Sequence, residues 1–133
     1  MIDYSQLITR KDKVVKAQQE KLVQLADKRW LVESSGIVVN GVKIDTSPES
    51  RVKIDTLINN VKKANLELID FKSLDGFVSL TVEELETINV EITLYVQKCF
   101  SIERMHAECI ADLNSMQDLA AYDLNFGWPN QEN

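Results

Sequence analysis

An α+β fold, with a long antiparallel helix at each end of the chain and two short β-hairpins plus a connecting helix between them, is predicted by three features of these 133 residues. Asn40-Gly41 sits between two β-branched runs, and that dipeptide supplies the positive φ angles that a two-residue hairpin turn needs. Asp75-Gly76 repeats the signal between two further apolar segments. On either side of these turns lie long stretches without Gly or Pro, whose apolar residues recur at helical spacing.

The first helix is expected to start at Thr9, where Thr9 and Asp12 have a capping spacing, and to stop at Gly36. Val15, Leu22, Leu25 and Val32 mark its apolar face, Gln18 and Arg29 interrupt that face, and Trp30 is expected in the core. With Asn40 and Gly41 as the turn, Val39 faces Val42 and Ile37 faces Ile44, so these four share one buried face while Val38 and Lys43 occupy the other. Ser47 is the natural N-cap of the connecting helix, with Pro48 at its first position. Ile54, Leu57, Ile58 and Val61 form its inner face, and it is expected to end near Asn65. Leu66 to Lys72 reads as a strand that turns at Asp75-Gly76 into Phe77 to Leu80, with Val78 and Leu80 on the face of Phe71.

Thr81 and Glu84 form a capping box, after which residues 81–122 read as one long amphipathic helix and residues 123–133 as a tail. Leu85, Ile88, Ile92, Tyr95, Cys99, Ile102, His106, Cys109, Leu113, Met116 and Ala120 alternate spacings of three and four. Uninterrupted, that helix would be about 60 Å long, more than a single domain of this size can cover. Leu85, Ile88, Ile92, Tyr95, Ile102, His106, Leu113 and Met116 are therefore expected to form an interface, with Trp128 as a further anchor. A dimer or trimer joined through this seam is expected, and His106 within it would weaken association when protonated below about pH 6.

Composition narrows the function. The net charge of −6, with 15 Lys and Arg against 21 Asp and Glu, repels phosphate backbones and argues against a nucleic-acid partner. No run approaches the roughly 20 apolar residues of a membrane span, and the N-terminal residues show no secretory pattern. The basic residues concentrate in the first third and the acidic ones in the C-terminal half, which suits two helices lying side by side.

Chemistry-bearing groups are sparse. Cys99, His106 and Cys109 share a helical face and suggest a metal-binding regulator as an alternative reading. Three ligands from one helix do not normally converge, however, and free Cys commonly behaves as a small buried hydrophobe. A continuous helix also offers neither a positioned base nor an oxyanion hole for a Cys nucleophile. Asp75 is explained by its turn and Glu84 by its cap. With only four glycines, and none in a phosphate-binding pattern, no catalytic residue, cofactor or resident metal is expected.

Several of these motifs occur together in one known family. Arg29-Trp30-x-x-Glu33-x-x-Gly36 is followed by Ile37-x-Val39-Asn40-Gly41-x-x-Ile44-x-Thr46, then by Phe71-Lys72-x-x-Asp75-Gly76-Phe77-Val78-x-Leu80-Thr81. Cys99-Phe100 and Gly127-Trp128-Pro129 complete the set. The chain resembles a domain of unknown function that recurs in tailed-phage and prophage proteins, often encoded in the tail or tail-fibre region. That resemblance covers nearly the whole chain and rests on structural motifs. It implies a single phage-tail-type domain over residues 1–133 that is not an enzyme and that works with a tail or tail-fibre protein. It would act as an assembly chaperone in the host cytoplasm or as an adaptor in the virion tail.

Overall fold

The structure is a computed structural model that describes residues 4–129, so the end of the expected tail, from Asn130, lies outside the described residues. Its elements are α1 (Tyr4–Glu33), β1 (Ile37–Val39), β2 (Val42–Ile44), α2 (Pro48–Lys63), β3 (Leu68–Ser73), β4 (Gly76–Thr81), α3 (Val82–Ala111) and α4 (Met116–Ala121). This is the expected mixture of long helices and two separate antiparallel hairpins. The chain divides into a helical unit, Met1–Trp30 with Phe100–Trp128, and a hairpin unit, Leu31–Cys99 with Pro129–Asn133. No helix of the described residues is long and apolar enough to cross a membrane.

In the hairpin unit the first ribbon has the register dictated by its turn: Ile37 pairs with Ile44, Val38 with Lys43 and Val39 with Val42. Asn40 and Gly41 take φ of 49° and 80°, as a two-residue turn of this hand requires. Ile37, Val39 and Ile44 are buried and Val42 is half-buried. Gly36, which stops α1, has φ of 97°, and a Cβ there would lie 2.9 Å from the Ile44 carbonyl oxygen. Only glycine fits that corner.

The connecting helix is capped at both ends as its sequence prescribes. Ser47 accepts from the Ser50 amide at 3.3 Å and Pro48 opens the first turn. At the other end Asn65, at φ 57°, brings the Leu66 amide to the Val61 carbonyl and the Asn65 amide to that of Lys62. This pair of bonds is a Schellman motif, and it satisfies two otherwise open carbonyls. Ile54, Ile58 and Val61 are buried, whereas Leu57 is half-buried.

The second hairpin corrects the expected turn. Its two-residue loop is Leu74-Asp75, with Ser73 opposite Gly76, Phe71 opposite Val78 and Ile69 opposite Leu80. Ser73 and Gly76 are tied by the Ser73 hydroxyl, which donates to the Gly76 carbonyl at 2.7 Å and accepts the Asp75 amide at 3.2 Å. The Leu74 amide also donates to the Lys43 carbonyl of the first hairpin, at 3.0 Å. Moving the register by two residues preserves the faces, so Val78 and Leu80 still share the face of Phe71.

At the start of α3 the capping box is reciprocal. The Thr81 amide donates to the Glu84 carboxylate and the Glu84 amide to the Thr81 hydroxyl, each at 3.1 Å. Leu85, Ile88, Ile92, Tyr95, Val96 and Cys99 are then buried in turn.

The helical unit departs further from expectation. The first helix runs through Thr9 from Tyr4, because Thr inside a helix costs only a fraction of a kcal/mol and nothing between Tyr4 and Thr9 breaks helices. Leu25 is buried, but Val15 and Leu22 are exposed, and Trp30 is 48% exposed instead of lying in the core. Gln18 and Arg29 take the inward positions. Gln18 donates to the Leu113 carbonyl at 3.0 Å, and Arg29 meets Glu103 at 2.9 Å while its guanidinium lies 4.6 Å from the Phe100 ring centre. Because partners climb α3 as residues descend α1, the two helices are antiparallel here.

The uninterrupted helix to Tyr122 is also corrected. After 30 residues, or about 45 Å, α3 ends at Ala111. The amides of Asp112 and Leu113 tighten back onto the carbonyls of Cys109 and Ile110, and Gln18 takes the open carbonyl of Leu113. A new N-cap then forms, with the Ser115 hydroxyl accepting from the Asp118 amide at 3.0 Å. A Ser followed three residues later by Asp is a start signal in its own right, and it overrides the heptad spacing.

Candidate functional site

Helix α3 brings His106 to the centre of the helical unit, where it is fully buried. Its Nδ1 lies 2.7 Å from the Tyr122 hydroxyl and its Nε2 2.9 Å from the Phe126 carbonyl oxygen. A carbonyl only accepts, so Nε2 carries a proton; in the neutral ring Nδ1 then accepts from Tyr122, an assignment made from the hydrogen-bond network. Tyr122 and Phe126 meet the imidazole edge-on, at centroid distances of 5.6 and 4.5 Å. Trp128 stacks on it at 5.7 Å and 22°. The Trp128 indole N–H is spent on the Leu124 carbonyl four residues back, at 2.7 Å. Burial first, then the neighbouring Cys109 thiol, push the Tyr122 hydroxyl from 10.0 up to about 12, so it remains a neutral donor across the ordinary pH range.

This cluster closes over the apolar centre formed by Leu25, Ile110 and Leu119, with Leu113, Leu124 and Trp128 packed against it. Both imidazole nitrogens are engaged, and among the described residues no three His, Cys, Asp or Glu side chains stand where they could hold one metal ion. Cys99 is buried and Cys109 is exposed, so the set Cys99, His106 and Cys109 does not form a ligand cage.

The other expected interface residues are dispersed by burial. Leu85, Ile88, Ile92 and Tyr95, like His106, are buried by their own chain. Ile102, Leu113 and Trp128 are half-buried, and only Met116 of the nine is exposed. A seam of period 3.5 places Cys109 on the inner face, but a straight helix of 3.6 residues per turn drifts by about 20° per heptad. Ile110 is buried in its stead.

Three polar links in the hairpin unit join residues that are not neighbours in sequence. The Thr46 hydroxyl, fully buried, donates to the Glu33 carbonyl and accepts the Gly36 amide at 2.9 Å, which joins the end of α1 to the strand β2. The Glu33 carboxylate, 2% exposed, pairs with Arg51 at 3.2 Å. The Tyr95 hydroxyl likewise donates to the Val32 carbonyl. These are pairings across 10 to 63 positions of sequence, and local residue patterns do not specify them.

Part of what the hairpin unit exposes is apolar. Val90 and Leu94 lie one turn apart on the outside of α3 and are 57% and 60% exposed. Leu94, with Glu91, Tyr95 and Lys98, forms one wall of an open groove of about 280 Å³, and Ile37, Val38 and Val39 form the other.

Comparison with curated proteins and with solved structures finds no match. A family model described as "Domain of unknown function (DUF4376)" matches residues 16–125. That span runs from the middle of α1 past the end of α4, and the chain belongs to this family.

Proposed function

We propose that this chain is a non-enzymatic phage tail protein that serves tail-fibre or tail-tip assembly through helix-mediated contacts. The phage setting is supported by the resemblance of its motifs, from Arg29-Trp30 to Gly127-Trp128-Pro129, to the tailed-phage domain. The contact itself is carried by one observation: Val90 and Leu94 are left exposed on α3, and Leu94 lines a groove against the first hairpin. Apolar side chains a turn apart, flanked by Glu91 and Lys98, are what an amphipathic partner segment needs for anchoring and for register. The chain would act in the host cytoplasm during assembly, or remain in the virion tail as an adaptor.

The test is co-purification from infected cells. The wild-type chain is expected to bring down tail-fibre subunits, and the Val90→Asp/Leu94→Asp variant to lose them with an unchanged melting temperature. Mass spectrometry of purified virions then separates the two roles, since an adaptor is present there in stoichiometric amount and a chaperone is not. Failure to associate with any tail protein in either preparation overturns the reading.

A further inference from the structure

The outer face of α1 presents a second apolar surface that the helical unit does not bury. Val15, Leu22 and Val23 are 50%, 39% and 62% exposed, Ala26 is half-buried, and Trp30 closes the row at the end of the unit. With Gln19 they fall within about 100° of arc on a helix of 3.6 residues per turn, over a length of about 22 Å. No Gly or Pro interrupts them.

The order of residues along this row is symmetric. Val15 and Trp30, Gln19 and Ala26, and Leu22 and Val23 each lie at equal distances on either side of one point between Leu22 and Val23. A two-fold axis through that point would set the small Val15 against the large Trp30 of a second copy and Gln19 against Ala26. Along one flank of the same row run Lys16 and Asp27, both exposed and centred within one residue of that point. In an antiparallel pair this flank faces itself, so each Lys16 meets the other copy's Asp27. Apolar row and charge pattern share one axis to within a residue, and an isologous contact requires that self-complementarity.

We infer that α1 pairs two copies of this chain as an antiparallel helix dimer centred between Leu22 and Val23. The pairing uses residues other than Val90 and Leu94 and stands whether or not the chain serves tail assembly. One helix face of this length gives an interface at the small end of specific ones, so the dimer is in exchange with monomer.

Sedimentation of the full chain from micromolar to submillimolar concentration tests it. The wild type is expected to move from monomer to dimer, and Leu22→Glu, which sets two like charges beside the axis, to remain monomeric. Lys16→Asp changes only an exposed side chain and should weaken the dimer about tenfold, since two ion pairs become two repulsions of modest size each. The double reversal Lys16→Asp/Asp27→Lys should restore it. In a Cys109→Ser background, Leu22→Cys should form a disulfide-linked dimer on oxidation and Val15→Cys should not. A monomer throughout the range, a trimer, or a double reversal as weak as the single one overturns the proposal.

Discussion

In the hairpin unit the buried side chains run from Val32 and Ile37 to Val96 and Cys99 and are apolar, with Glu33 and Thr46 as the polar exceptions among the described residues. In the helical unit Leu25, Ile110 and Leu119 share the interior with His106, and Gln18 and Arg29 supply hydrogen bonds from α1. Apolar burial is non-directional and grows with area, so a hairpin face can be moved by two residues, as at Leu74-Asp75, without losing it. Hydrogen-bonded links need a particular atom at a particular place, and removing one member leaves the other unsatisfied.

The largest effect should come from violating the apolar interior. Replacing Val39, 6% exposed, by Asp buries an unpaired charge and is expected to cost about 4 kcal/mol in urea unfolding. A variant that melts like the wild type would show that the hairpin face is not a core. In the helical unit, His106→Leu keeps the volume roughly constant but takes the ring nitrogens away from the Tyr122 hydroxyl and the Phe126 carbonyl, for an expected loss of about 2 kcal/mol. Because Trp128 stacks on that ring, its near-UV circular dichroism should change as well, and an unaltered spectrum would contradict the stacking. Gln18→Ala frees the Leu113 carbonyl near the end of α3 and should cost about 1 kcal/mol. If the units are independently stabilised, it should add to Val39→Asp without coupling.

The smallest effect is confined to alkaline solution. Folding raises the Tyr122 hydroxyl from 10.0 to about 12, so its contribution is complete below pH 10 and disappears as pH climbs towards 12, where the folded phenol also ionises. The melting temperature should fall over that window, and Tyr122→Phe should fall less steeply. Equal slopes for the two proteins would show that the hydroxyl is no more buried than in the unfolded chain.

The two units also differ in how far their structure can be read from the residues. Turns and caps are legible because their cause lies within three or four positions: Asn40-Gly41 sets a register, Ser47-Pro48 starts α2, and Thr81 with Glu84 starts α3. The same kind of signal at Ser115 and Asp118 is equally local, but a heptad spacing that continues through it masks it. The metal reading of Cys99, His106 and Cys109 shows the limit of spacing as a guide, since His106 is engaged at both nitrogens by residues 16 and 20 positions away.

Local sequence therefore determined the fold class, the first hairpin, the boundaries of α2 and the start of α3, all of which rest on backbone conformation and short-range hydrogen bonds. Only the tertiary structure decided which partners Gln18 and Arg29 find, that Trp30 turns out, that Thr46 links the end of α1 to β2, and that Trp128 folds onto His106. A single side chain's free energy depends on which distant atoms can satisfy it, and chain neighbours carry no record of those atoms.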